Sequence, residues 1–199
     1  MLTGKKIVLG VSGGIAAYKM ANVASMLSKL HADIHVVMTE NATHFITPET
    51  FEVLTGNHCY TDTFDRCMEL HVPHIALGTQ ADAILIAPAS ADVVGKIANG
   101  IADDMLTTCV LPATCPVMLA PSMNEHMYEN PIVQDNMKKL ASYGYEIIEA
   151  DEGYLACRDI GKGKLPPEHV LVDYIIRACA MDKDLAGKKV LVTAGEGFG

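Results

Sequence analysis

The stretch Ile7-Val8-Leu9-Gly10-Val11-Ser12-Gly13-Gly14-Ile15 decides the fold. Residues 7–11 form an apolar run with no polar alternation, the pattern of a strand covered on both faces. The run passes into a turn of small residues, and a helical stretch over 14–30 follows. Small residues let the backbone approach an anion, and a helix start turns its free N–H groups toward it. A phosphate-bearing ligand and a plain tight turn both fit this loop. The loop is not the dinucleotide fingerprint: Ser12 stands where the second glycine belongs, and no third glycine follows at the right spacing. Glu40, near the end of the next strand, imitates the ribose-binding acid, so a nicotinamide dinucleotide is weakened rather than eliminated as a ligand.

Working outward, further short aliphatic runs at 34–38, 83–87, 117–120 and 146–148 read as strands. Helical stretches at 91–99, 102–111, 131–143 and 168–180 separate or follow them. Strand–helix alternation predicts an α/β fold, a doubly wound, mostly parallel sheet with right-handed connections in a single Rossmann-like domain. Ligands in such sheets sit outside the carboxyl ends of the strands.

The chain has 199 residues, half of them apolar, and a formal net charge of −9. That charge argues against nonspecific binding of nucleic acid or of an anionic membrane surface. No apolar run reaches about 18 residues, so no membrane span is expected. The first residues lead straight into a strand without a signal-peptide pattern, and a cytoplasmic location is expected. There the six cysteines stay mostly reduced, and no His/Cys spacing reads as a metal site.

Leu2-Thr3-Gly4-Lys5-Lys6-Ile7-Val8-Leu9 is echoed by Leu185-Ala186-Gly187-Lys188-Lys189-Val190-Leu191-Val192. The expected organisation is a domain over 1–181, a linker over 182–187, and the start of a second α/β domain over 188–199.

Chemistry-bearing residues collect at the predicted strand ends. Ser90 follows the strand at 83–87 and suits a helix N-cap. After the strand at 117–120, Asn124 fits either a helix cap or a donor to a carboxylate, and Met123, Met127 and Tyr128 an adaptable apolar wall. His74, just before the strand at 83–87, fits either a structural or exposed histidine or a proton acceptor near neutral pH. Residues 151–167 are rich in Gly and Pro and read as a mobile surface loop or lid. Within it Cys157 stands beside Arg158, a setting that favours a reactive thiol.

Ser-Gly-Gly-Ile-Ala-Ala-Tyr-Lys at 12–19, His74-Ile75, Pro88-Ala89-Ser90-Ala91-Asp92, Pro-x-Met-Asn-x-x-Met at 121–127, Gly-Tyr-Leu-Ala-Cys at 153–157 and Gly161-Lys162-Gly163-Lys164 occur in this order. Over about residues 4–180 the chain resembles the homo-oligomeric flavin-containing cysteine decarboxylases. Within that family it is most similar to decarboxylases of coenzyme A biosynthesis that bacteria fuse to a phosphopantothenate–cysteine ligase. The resemblance implies FMN as cofactor and 4'-phosphopantothenoylcysteine as substrate. It also implies oxidation of the cysteinyl side chain to a thioaldehyde, loss of carbon dioxide, and reduction of the ene-thiol. It implies catalytic roles for His74 as base or orienting group, Asn124 on the substrate carboxylate and Cys157 as proton donor. Flavin contacts are implied for Ser12, Gly13, Gly14, Ile15, Thr39, Asn41, Ser90, Ala91, Asp92, Val93 and Ser122, and trimers or dodecamers with flavin at the subunit interface. Ser122 departs from the family's usual alanine, Arg158 from its usual glycine, and Glu196-Gly197 from the Pro-Thr usual after Ala-Gly. A peptidyl-cysteine decarboxylase and a non-catalytic flavin-binding regulatory subunit are the alternatives.

Overall fold

The computed structural model describes residues 1–64, 73–154, 160–179 and 187–189. The chain runs through β1 (Lys6–Val11), a 3-10 turn (Ile15–Tyr18), α1 (Lys19–Lys29), β2 (Asp33–Met38), a 3-10 turn (Glu40–His44), α2 (Pro48–Thr55), β3 (Cys59–Tyr60) and α3 (Pro73–Gln80). It continues through β4 (Ala83–Ala89), α4 (Ala91–Ala98), α5 (Met105–Val110), β5 (Val117–Pro121), α6 (Glu125–Tyr128), α7 (Pro131–Ser142) and β6 (Glu146–Ile147). The hairpin β7 (Asp151–Tyr154) and β8 (Ile160–Lys164) and then α8 (Glu168–Cys179) complete it.

Six strands form one parallel sheet in the order β3-β2-β1-β4-β5-β6. The expected doubly wound α/β architecture is therefore present. Side chains alternate across it: Ile7, Leu9 and Val11 join one core with α1 and α8, while Val8 and Ile86 join a second core with α4, α5 and α7. Burial on both faces is why these strands read as unbroken apolar runs. Gly10 lets β1 pack closely on α5: a Cβ there would lie 2.5 Å from Leu106 Cδ1, and the Leu106 side chain would have to shift.

The helices start on side-chain caps. Ser90 caps α4 by accepting from Val93 N, and Asp104 with Thr107 forms a reciprocal capping box on α5. The structure differs from the sequence expectations in four places. The stretch at 14–30 begins as a 3-10 turn and becomes α-helical only at Lys19, and α5 starts at Met105 rather than at 102. The short elements α2, β3 and α3 were not anticipated. His74, expected just before the strand at 83–87, lies in the first turn of the unanticipated α3. The stretch expected as a loop or lid over 151–167 contains an antiparallel hairpin, β7–β8. The expected linker and second-domain start fall almost wholly outside the described residues.

Asp82 ties the start of β1 to the start of β4. Its Oδ2 accepts from Lys6 N at 2.8 Å and its Oδ1 from Lys5 Nζ at 2.9 Å. Burial works to raise this carboxyl, but the Lys6 N–H and Lys5 outweigh it and hold it below its ordinary value of 3.8. A depressed carboxylate stabilises the fold above its unfolded value, and that contribution is lost as pH falls through the folded value. Asp82→Ala should cost about 1 kcal/mol at pH 7, with the difference from the unsubstituted protein shrinking below about pH 4. Urea titrations at pH 7 and pH 3 check it; an equal difference at both would refute the ion-pair account.

Candidate functional site

Strand order reverses between β1 and β4, since β1 leads outward to β2 while β4 leads to β5 on the other side. The carboxyl ends of adjacent strands there splay their loops apart and leave a crevice. In this protein the crevice is a cavity of about 640 Å³. Its floor is the turn after β1 and its walls come from the starts of α1 and α4, the segment after β5, and the end of β8.

Ser12 is fully buried and does not line the cavity. Its Oγ donates to Pro88 O at 2.7 Å and accepts from Ser90 N at 2.9 Å, and its N–H also bonds to Pro88 O. The hydroxyl thus staples the β1 turn to the β4 turn. Gly13 and Gly14 line the cavity beside Ile15. A Cβ on Gly13 would sit 2.5 Å from Asn41 Cβ and 3.0 Å from the Asn41 carbonyl carbon, so only glycine permits this contact. Asn41 packs behind the floor rather than facing the cavity. Thr39 lies there too, its Oγ1 accepting from Ala42 N to start the turn over Glu40–His44.

Ser90 and Ala91 line the cavity, whereas Asp92 and Val93 do not. The Asp92 carboxylate pairs with Lys96 at 3.3 Å, and the Val93 side chain is in the core. Burial alone would lower Lys96, but its contacts with Asp103, Asp92 and Asp104 dominate and raise it. Val93 N is taken by the Ser90 cap, which leaves the N–H groups of Ala91 and Asp92, with no carbonyl one turn back, as donors at the cavity end of the helix.

Ser122 and Asn124 stand on the wall after β5. Ser122 N donates to Ala89 O at 3.1 Å, which sets this segment against β4. Asn124 caps α6, its Oδ1 accepting from His126 N at 2.9 Å. Asn124 thus caps α6 and also lines the cavity. Met123 and Met127 line the cavity as expected, but Tyr128 is buried in the core instead.

The β7–β8 hairpin is docked on this wall. Met123 N donates to Gly163 O at 3.0 Å, and Gly163, Lys164 and Leu165 all line the cavity. Register pairs Tyr154 with Ile160, which leaves residues 155–159 between the strands. Cys157 and Arg158 belong to that segment and lie outside the described residues. His74 does not line the cavity; its Nδ1 is buried with no hydrogen-bond partner among the described residues.

Sequence reasoning passed over Tyr18, Lys19 and the end of β8 as lining residues. Lys19 had a local signal, one turn beyond Gly14–Ile15, whereas the Gly163 segment was marked only by the Gly161–Lys164 motif of the resemblance, because its place depends on contact with Met123. The remaining described cysteines keep protonated thiols: burial pushes Cys59 and Cys109 up to about 12, and burial also raises Cys115 and Cys179. Among the described residues no group of His, Cys, Asp and Glu could hold a metal ion, and no helix is long and apolar enough to cross a membrane.

Known proteins resemble this chain in sequence and fold. The coenzyme A biosynthesis bifunctional protein CoaBC of Bacillus subtilis is 46% identical over 197 residues, covering 98% of this chain and 48% of that protein. CoaBC of Haemophilus influenzae is 40% identical over 194 residues, with the same coverage. The chain therefore spans about half the length of these relatives. Among solved structures, the FMN-dependent cysteine decarboxylase SpaF superposes with a TM-score of 0.79 at 34% identity, covering 91% of this chain and 100% of that one. A cysteine-to-serine mutant of PPC decarboxylase, complexed with pantothenoylaminoethenethiol, gives 0.77 at 29%, covering 86% and 96%. The sequence profile of the Flavoprotein family matches residues 1–180, so this glycine-floored cavity at the sheet's switch point is that of a member of the flavoprotein family.

Proposed function

We propose that this chain binds FMN and decarboxylates 4'-phosphopantothenoylcysteine to 4'-phosphopantetheine. The observation that carries the reading is the juxtaposition of three features in one cavity: the Gly13–Gly14 floor, the Asn124 wall and the docked base of the Cys157 hairpin. The residues present fit a flavin. Two floor positions lack side chains, backbone donors flank them, and about 640 Å³ lies within the range for such ligands.

Bound flavin would supply the two-electron oxidation and re-reduction that make the cysteinyl carbon chain an electron sink for carbon dioxide loss. The chain's residues do the rest. Asn124, held by its cap, offers its amide N–H to the substrate carboxylate. Met123, Met127 and Leu165 exclude water and strengthen that contact. Cys157 hands a proton to the ene-thiol carbon, a role taken from the resemblance. His74 is absent from the lining of its own chain's cavity, and we assign it to the cavity of a neighbouring copy in a homotrimer or in a dodecamer built from trimers. Its unpartnered Nδ1 and the exposed Ile75 beside it support that assignment. Sedimentation as a monomer would remove it. The length of the relatives supports a ligase domain joined beyond residue 188, and their biosynthetic role supports a cytoplasmic location.

The test is the absorbance spectrum of the purified protein, mass identification of the released cofactor, and turnover of phosphopantothenoylcysteine against a peptide ending in cysteine. Yellow protein releasing FMN and carbon dioxide from the first substrate supports the reading. Preference for the peptide would make it a peptidyl-cysteine decarboxylase, and yellow protein inert to both a non-catalytic flavin-binding subunit. Cys157→Ser should release carbon dioxide but accumulate the ene-thiol, detected by mass spectrometry. Normal aminothiol from that variant would end the proton-donor role.

A further inference from the structure

Helix α6 is a fixed platform beside the cavity. Tyr128 is buried at its end, and Gln134 Nε2 donates to Tyr128 O at 2.6 Å. Asn124 O and Glu125 O accept from Tyr128 N and Glu129 N, which closes the single turn. Strand β8 runs past this turn. Its glycines 161 and 163 are two positions apart and share one face of the strand, while Lys162 belongs to the other face and pairs with Glu149. Gly163 meets backbone, accepting from Met123 N at 3.0 Å. Gly161 meets a side chain: a Cβ there would collide with all three atoms of the Glu125 carboxyl group, lying 2.5 Å from Oε2. The carboxylate therefore fills the space that a side chain at 161 would take. Gly161, unlike Gly163, has no positive φ, so backbone conformation does not call for glycine at this position. The Glu125 carboxylate does.

Glu125 does not line the cavity. It stands between two groups assigned to the reaction, for Asn124 precedes it in sequence and Cys157 lies four residues before Gly161. The Met123–Gly163 bond fixes β8 at one point. A second contact two residues further along the strand, about 7 Å away, also fixes its direction. We propose that Glu125 is a positioning residue, whose carboxylate packs on the bare Cα of Gly161 and sets the direction in which β8 approaches the cavity wall. This rests on the decarboxylase reading above and deepens it: one short helix then places both the grip on the substrate carboxylate, at Asn124, and the strand that carries the proton donor.

The test is a double-mutant cycle on the FMN-loaded full chain with E125A, G161A and E125A/G161A, and with E125Q beside it. Two quantities are read: amide hydrogen exchange across residues 160–164, and the ratio of aminothiol to ene-thiol formed from phosphopantothenoylcysteine. E125A empties the contact, and G161A expels the carboxylate, whose flexible stem can swing aside. Each should speed exchange of β8 and lower the product ratio, both about tenfold. The double variant should be no worse than E125A, because the new methyl then meets no carboxylate. E125Q keeps the shape and should stay close to the unsubstituted protein. Melting temperatures should be unchanged throughout, since Glu125 is half-buried and Asn124 still caps α6. Additive losses in the double variant would overturn the proposal, as would E125Q as impaired as E125A. Faster exchange with an ordinary product ratio would reduce Glu125 to a structural contact and overturn it as well. If the unsubstituted protein released no carbon dioxide, the decarboxylase reading would fall, while the exchange cycle would still decide whether Glu125 holds β8.

Discussion

Replacing Gly163 by alanine is expected to destabilise the protein and remove nearly all decarboxylase activity. Gly163 has φ +135°, a conformation that L side chains rarely adopt, and a Cβ there would sit 2.4 Å from Met123 O. That neighbour is backbone, so it cannot swing aside as a flexible side chain would. The same glycine accepts the hydrogen bond from Met123 N at 3.0 Å. Strain and the lost bond together should amount to about 3 kcal/mol. Local undocking of β7–β8 costs less than global unfolding, so the hairpin yields first. Displacement of the proposed proton donor by even an ångström should lower kcat by a factor on the order of 10². Thermal melts and steady-state kinetics check both effects. A variant with ordinary melting temperature and kcat would show that the hairpin's docking on Met123 is not what positions the site.

Asn124→Asp should fold normally and lose activity. Aspartate is as good an N-cap as asparagine, so its carboxylate can still accept from His126 N and α6 should survive. The change falls on the cavity side. The amide donor disappears, and a negative charge faces the carboxylate that the substrate brings. Two like charges at contact distance in a partly solvated site cost about 3 kcal/mol, so kcat/KM should fall by a factor on the order of 10². The loss should appear largely in KM, because repulsion acts already on the bound substrate. Kinetics, with a melting curve as the control for folding, decide it. Unchanged kcat/KM would take Asn124 out of the site and leave it only as a helix cap.

These substitutions separate what local sequence encodes from what contact between distant segments adds. Strands β1, β2, β4 and β5 were readable because they lie inside the sheet, and burial on both faces demands continuous apolar runs. Edge strand β3 has two residues, too few to carry a pattern. Helix α3 was missed because its buried stripe is short and depends on a partner: a Cβ on Gly78 would lie 2.4 Å from Cys109 O, so that glycine serves close packing on α5. The Gly-rich hairpin read as a loop because its pairing draws on no hydrophobic alternation and its docking on a backbone contact with Met123.

The site divides the same way. Residues 7–15 alone specify a buried strand, a turn of small residues and an anion-friendly floor, since each property depends on near neighbours. They could not reveal that the Ser12 hydroxyl spends both its bonds on Pro88 and Ser90, which lie 76 and 78 positions away. Nor could they reveal that Asn41 closes the underside of Gly13, or that Lys164 returns to the same crevice as Lys19. Local pattern dictates what a segment must bury. Which segments then meet around the cavity is set by strand order and close packing, and these exist only once the sheet has assembled.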